Sequence, residues 1–197
     1  MPPPKPVPQL PRALVNFIKL VVGKTKYVPV CSAAMEERVR TRYRSEIAEL
    51  SGLGFDRQSC FGEVFPLARL ALILPAITVL VMYFERRPMR IHEGTKMMTC
   101  YPLLVSRDKT TYANPCEVGV KLLTAFTDGA FLVSAMGPGV EADGPILTKH
   151  CGAANIGEVW ASHQVRIRAF ESAGKRVHRG ISFQTYADLS QRETALL

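Results

Sequence analysis

Hydrophobic positions in the chain fall into blocks separated by charged and turn-forming residues, and the most apolar block is 65–84, FPLARLALILPAITVLVMYF. A helix rises about 1.5 Å per residue, so this block reaches about 30 Å, the thickness of a bilayer's hydrocarbon core. Phe65, Leu70, Leu74, Leu80 and Phe84 are among eleven positions in it that favour insertion, together by about 3 to 7 kcal/mol. Arg69 opposes them by about 2.5 to 3.5 kcal/mol at a bilayer centre, and by much less near an edge where its stem reaches the headgroups. The pattern predicts one apolar membrane helix in a single pass, bordered by Tyr83, Arg86, Arg87 and Arg90 as interface anchors. Pro75, in the middle, removes a backbone donor and kinks the helix, so a hairpin that dips in and returns is the competing arrangement. A further reading keeps the stretch as a buried core helix of a soluble domain.

Around this block the pattern is that of an α+β protein. Residues 32–50, SAAMEERVRTRYRSEIAEL, carry Met35, Val39, Tyr43 and Ile47 four apart, which predicts an amphipathic helix with arginines on its other faces. Ser32 is its expected cap and Ser51-Gly52 its end. Beyond the apolar block, 97–105 reads as a strand that Pro102 restricts to a sheet edge, with 110–113 as its partner before Asn114-Pro115 breaks the run. The stretch 118–136 reads as a hairpin around Asp128-Gly129, taken as a two-residue turn. That turn sets Phe126 opposite Phe131, Thr124 opposite Val133 and Leu122 opposite Ala135. Residues 137–152 read as a loop, 155–173 as a helix with Val159, Trp160, His163, Ile167 and Phe170 to one side, and 181–197 as a last short helix. The predicted architecture is a membrane-anchored chain with an N-terminal amphipathic helix, one apolar membrane helix, and a small antiparallel β-meander covered by a C-terminal helix. Its parts are a proline-rich basic arm at 1–31, the amphipathic helix at 32–52, the membrane segment at 61–87 and the small α+β domain at 93–197.

Charge refines this picture. Met1 to Cys60 hold ten Lys or Arg against five acids, and Glu85 to Leu197 hold fourteen against eleven. Basic flanks favour anionic headgroups, and since no basic run is interleaved with stacking aromatics, no nucleic-acid partner is expected. The expected partners are the lipid bilayer and another protein, met through the sheet domain or the PxxP of Pro3 and Pro6. Five cysteines without CxxC spacing argue for a reducing compartment. Near the stretch, Arg86, Arg87, Arg90 and Lys96 outnumber Arg57, which puts the C-terminal domain on the cytoplasmic side of a plasma or inner membrane.

Candidate chemistry is sparse. Cys151, with His163 twelve residues on, is the one pair of nucleophile and base, because a thiolate needs an imidazole or helix N-terminus to form at neutral pH. No acid stands at a spacing that would orient the imidazole. His150, Cys151, His163 and His178 lack the close pairs of a structural zinc site, so no metal is assigned, and no cofactor is expected. Asp128 is explained by the turn. The sequence therefore favours a membrane-anchored, non-enzymatic interaction or scaffold protein. Its alternatives are a membrane-bound enzyme acting on lipid-linked or acyl substrates through Cys151 and His163, and a soluble protein with 65–84 in its core.

Overall fold

The computed structural model describes residues 26–30, 32–66, 89–92, 96–116, 119–136, 146–151, 155–180 and 182–196. Its elements are β1 (Lys26–Pro29), α1 (Ala33–Arg42), α2 (Arg44–Gly52), β2 (Phe55–Pro66), β3 (Met89–His92), β4 (Lys96–Ser106), β5 (Thr111–Cys116), β6 (Gly119–Ala125), β7 (Phe131–Met136), β8 (Ile146–Cys151), α3 (Ile156–Ser172) and α4 (Phe183–Leu196). The strands form one eight-stranded sheet in the order β1-β2-β4-β5-β6-β7-β8, with β3 also on β4. All pairs are antiparallel except β7 with β8. The fold is α+β as expected, but the sheet is larger than a meander. β1 and β2, which precede the apolar block, join it, so it extends beyond the 93–197 range assigned to the domain.

The backbone of the sheet is the pairing of the twelve-residue β2 with the eleven-residue β4, from Phe55↔Ser106 to Pro66↔Lys96. Phe65 and Pro66 therefore close a strand instead of opening a membrane helix, because their backbone pairs with Met97 and Lys96. Arg90 likewise lies in β3, opposite Met98. The rest of the expected membrane segment, including Arg69, Leu70, Leu74, Pro75, Leu80, Tyr83, Phe84, Arg86 and Arg87, lies outside the described residues, as do residues 1–25 and 31 of the expected arm at 1–31. Among the described residues no helix is long and apolar enough to cross a membrane.

The pairing constrains that segment from both ends. Residues 96–99 of β4 bond β2 on one edge and β3 on the other, with Pro66 opposite Lys96 and Met89 opposite Thr99. Strands lie about 4.8 Å apart and advance about 3.4 Å per residue, so residues 66 and 89 are within about 15 Å of each other. A single pass would put β2 and β3 on opposite sides of a bilayer, which is incompatible with their sharing one strand as neighbour.

Pro102 stands inside the sheet, contrary to the edge position expected for it. Its β2 partner is Cys60, and the β4–β5 ladder runs only through Leu104↔Ala113 and Val105↔Tyr112. Continued in register, that ladder would set Pro102 against Pro115, two residues without an N–H. Instead the buried Asn114 side chain donates its amide to the Pro102 carbonyl at 3.2 Å. Pro115 does not end β5 either, which continues to Cys116 against β6.

The hairpin also differs from expectation by one residue. Phe126 N–H donates to the Ala130 carbonyl at 2.8 Å and Gly129 N–H to the Phe126 carbonyl at 3.1 Å, enclosing a three-residue loop with Gly129 at φ +82°. This is a type I turn with a glycine bulge, not a two-residue turn. The register becomes Ala125↔Phe131, Thr124↔Leu132, Leu123↔Val133 and Leu122↔Ser134. Since strand side chains alternate, the one-residue difference moves Phe131 and Val133 to the face of Leu123 and Ala125. Residues 146–151, expected within a loop, form β8 along β7.

Both faces of the sheet are covered. On one, Tyr112, Leu123, Val133 and Phe131 share a buried cluster with Tyr186 and Leu189 of α4, and Phe61 meets Tyr101 and Tyr186 at 5.7 and 5.1 Å between ring centres. On the other, Ala113 and Leu122 pack with Leu50 of α2 and Ile156 and Val159 of α3. The predicted stripe of the N-terminal helix is buried at Met35, Val39 and Tyr43. The helix breaks at Tyr43, however, and Ser32 caps it through its backbone carbonyl, not its side chain.

Two glycines carry measurable strain if replaced. Gly129→Ala forces a Cβ into the left-handed region and is expected to cost about 1 to 2 kcal/mol in urea unfolding. Gly119→Ala should cost more, because at φ +122° its Cβ would also lie 2.5 Å from the Met136 sulfur.

Candidate functional site

Asn155 caps α3 by accepting from the Glu158 N–H at 2.8 Å, and the helix then turns Ile156, Val159 and His163 onto the sheet. His163 arrives over β6 and β7, completely buried. Thr124 and Ser134 face it from adjacent strands as diagonal neighbours, since Thr124 pairs with Leu132 and Ser134 with Leu122. His163 Nε2 lies 2.9 Å from Thr124 Oγ1 and Nδ1 lies 2.8 Å from Ser134 Oγ.

These contacts belong to a longer chain. Arg166, one turn further along α3, donates to Ser134 Oγ at 3.0 Å and to the Val133 carbonyl at 2.9 Å. Beyond His163, Thr124 Oγ1 is 2.7 Å from Thr111 Oγ1, which is 3.4 Å from Thr110 Oγ1, and Thr110 donates to the Asp108 carboxylate at 2.9 Å. One assignment of hydrogens satisfies every link: each group accepts from the Arg166 side and donates towards Asp108. The imidazole in the middle is then neutral, with its proton on Nε2. Burial, aided by nearby Arg166, pushes its pKa down to about 3. Burial works against the Asp108 carboxylate at the far end, but hydrogen bonds from Ser106 and Thr110 and the nearby Arg179 hold it below its ordinary pKa.

The expected nucleophile–base pair does not gain a free imidazole from this arrangement. Cys151 ends β8, its backbone opposite Met136, two residues beyond the Lys149 that pairs with Ser134. Both ring nitrogens of His163 are already engaged by hydroxyls, so none is left to take a proton from a thiol. Cys60, buried on β2, is no better a nucleophile, since burial raises its pKa to about 11. Among the described residues no three His, Cys, Asp or Glu side chains come together as metal ligands.

Asp128 and Gly129 stand in the hairpin turn as expected, with an added partner. Asp128 Oδ1 accepts from the Ala130 N–H at 3.0 Å, and Oδ2 forms an ion pair with Lys175. The segment after α3 clasps the hairpin: Thr127 N–H donates to the Arg176 carbonyl, His178 N–H to the Ala125 carbonyl, and Phe126 bridges to Val177. The basic run 175–179 is thus partly a structural strap, while Arg176, His178 and Arg179 remain exposed.

Thr111, Thr124, Ser134 and Asp108 were not singled out by sequence reasoning. Their signal is there: Thr124 and Ser134 are lone hydroxyls in the apolar runs LLTAF and FLVSAM, and His163 is a lone polar group on the apolar side of its helix. No protein-family model, curated protein or solved structure matches this chain.

A buried neutral histidine makes stability depend on pH. The folded pKa near 3 lies below the unfolded value of 6.5, so the unfolded chain binds the extra proton between them and stability falls as pH falls through that window. The slope contributed should approach about 1.4 kcal/mol per pH unit near pH 5. Urea unfolding between pH 7 and pH 5 is expected to show this contribution in the native chain, shallow at pH 7 and steepening towards pH 5, and to lack it in His163→Gln, whatever that substitution does to stability at pH 7.

Proposed function

We propose that this chain is a membrane-associated, non-enzymatic interaction protein, held at a bilayer surface from one side by the apolar stretch between β2 and β3. The observation that carries the reading is that β2 and β3 flank the same segment of β4, so the chain leaves and rejoins the sheet at one end. A stretch of this hydropathy, inserted as a loop that returns, keeps both flanks in one compartment and removes the need to translocate a basic N-terminal arm. The bilayer is one partner, and a second protein, met by the sheet domain or the proline-rich arm, is the other. The cytoplasmic side of a plasma or inner membrane suits cysteines that form no disulfide, as Cys60, Cys100 and Cys116 do not.

The alternatives have less support. An enzyme working through Cys151 and His163 would need an imidazole nitrogen that the hydroxyls of Thr124 and Ser134 now hold. A soluble protein with 65–84 as its core helix would need an uncovered sheet face, and α2, α3 and α4 already pack on the two faces.

Two measurements test the proposal. With a tag at each terminus, both tags in sealed vesicles should be equally accessible to added protease; opposite accessibility overturns the one-sided arrangement. In an alkaline carbonate wash the full chain should stay with the membrane. A variant with 67–84 replaced by a ten-residue Gly/Ser linker, long enough at about 17 Å to join the ends, should be released. Release of the full chain overturns membrane association.

A further inference from the structure

We infer that an open cleft at the opposite end of the sheet from residues 66 and 96 binds a small phosphate-bearing anion. The cleft, of about 440 Å³, lies where β2 begins and β4 ends, and Arg57, Arg107 and Lys109 line it together with Asp56, Gln58 and Ser182. Its volume falls within the range of small-molecule sites, about 300 to 1,000 Å³, and exceeds the space a lone ion fills. Three cations and one carboxylate line it, and since Glu36 pairs with Arg57, the cations left for an anion are Arg107 and Lys109 of the turn.

The cations are held ready by the turn that carries them. Ser106 Oγ accepts from the N–H groups of Thr110 and Thr111 at 3.2 and 3.0 Å and donates to Asp108 at 2.5 Å. Arg107 N–H is fixed on the Gly54 carbonyl, Lys109 N–H on the Ser106 carbonyl, and the Lys109 carbonyl accepts from Gly180 N–H. The turn is thus satisfied internally, and its two long cationic side chains contribute nothing to holding it. Arg107 reaches Asp56 only at 4.0 Å with its side chain 74% exposed, and Lys109 has no ion pair among the described residues. Lys109 is also the one non-glycine described residue at positive φ, +57°, a conformation that an asparagine or glycine would adopt at lower cost. Arg57 is steadied by Glu36 at 3.2 Å and closes the cleft from β2. A rigid turn presenting uncommitted cations around a polar cleft is the arrangement in which phosphate oxygens gain charge-assisted hydrogen bonds without reorganisation of the site.

Phosphate groups come free in solution or on lipids. Arg57 stands nine residues from Pro66 on β2, about 30 Å along the strand, so the proposed ligand is a soluble one. The test is calorimetric titration of the full chain, purified in a non-ionic detergent, with inorganic pyrophosphate, alongside flotation with vesicles containing phosphatidylserine. Saturable pyrophosphate binding is expected. It should weaken about tenfold or more in Arg107→Ala/Lys109→Gly, as loss of charge-assisted bonds predicts. The glycine suits the positive φ and keeps the turn. Arg38→Ala/Arg40→Ala, on the exposed side of α1, removes the same charge elsewhere and should change binding less than about twofold. Absence of saturable binding, or equal weakening by both double variants, overturns the inference. So does a cleft variant that loses vesicle binding while pyrophosphate binding is unchanged, which would make the ligand a headgroup.

Discussion

The structure depends on satisfying polar groups sealed between α3 and the sheet. Thr111, Thr124, Ser134 and His163 are buried together, and each would cost about 1 to 3 kcal/mol if left without a partner. They are affordable because the bonds run in one direction, from the donors of Arg166 to the carboxylate of Asp108. A reversed or shifted strand would break the sequence of donors and acceptors. The chain therefore does what apolar packing cannot: it fixes the register of β5, β6 and β7 and the height of α3 above them. Thr111 and Thr124 are register partners, and Thr124 and Ser134 are diagonal neighbours that one imidazole spans. The same argument explains why the imidazole stays neutral, since a charged ring would have to donate twice where one hydroxyl is set to donate.

At the other side of the sheet a different constraint operates. Near Lys96, β4 has partners along both edges, and they are β2 and β3. Prolines regulate how far each ladder runs. Pro102 and Pro115 end the β4–β5 pairing after two residue pairs, and β3 takes up the edge of β4 that β5 leaves. The most apolar stretch of the chain is thereby bracketed by strands that cannot separate without breaking the sheet. Any account of that stretch has to return the chain to within about 15 Å of where it left.

Helices and the turn around Asp128 were legible because their signals are local. The i, i+4 stripe of Met35, Val39 and Tyr43 and the cap-to-stop span from Asn155 to Gly174 both correspond to observed elements. What failed depended on distant partners. β2 was hidden because its end abuts the apolar block, and hydropathy alone does not divide FGEVFP from the LARLAL that follows. β8 was hidden by the glycine and proline of the residues before it. The register of the hairpin was misjudged because Asp-Gly serves both a two-residue turn and a three-residue loop with a bulge. The choice between them is made by the strands, here by the requirement that Ser134 share a face with Leu122 and Thr124. The candidate site was the least legible part. Lone Ser, Thr and His residues in apolar runs say that a buried polar network exists, but only the register says which of them meet.

Those two constraints divide the molecule by position. The middle is built from the Tyr112, Tyr186 and Phe61 rings on one face and, on the other, the hydroxyl–imidazole chain, whose polar atoms are committed to one another. Tyr112 is committed as well: burial, with Tyr186 beside it, raises its pKa above the ordinary value, and its hydroxyl is spent on the Ser182 carbonyl. Uncommitted groups are found instead at the end where Arg107 and Lys109 project, while the most apolar run of the sequence lies between β2 and β3. Asp108 links the two regimes. Its carboxylate ends the buried chain through Thr110 and also holds the turn whose flanking residues, Arg107 and Lys109, point outward. The order imposed on the interior is thus the same order that presents the cations of the cleft.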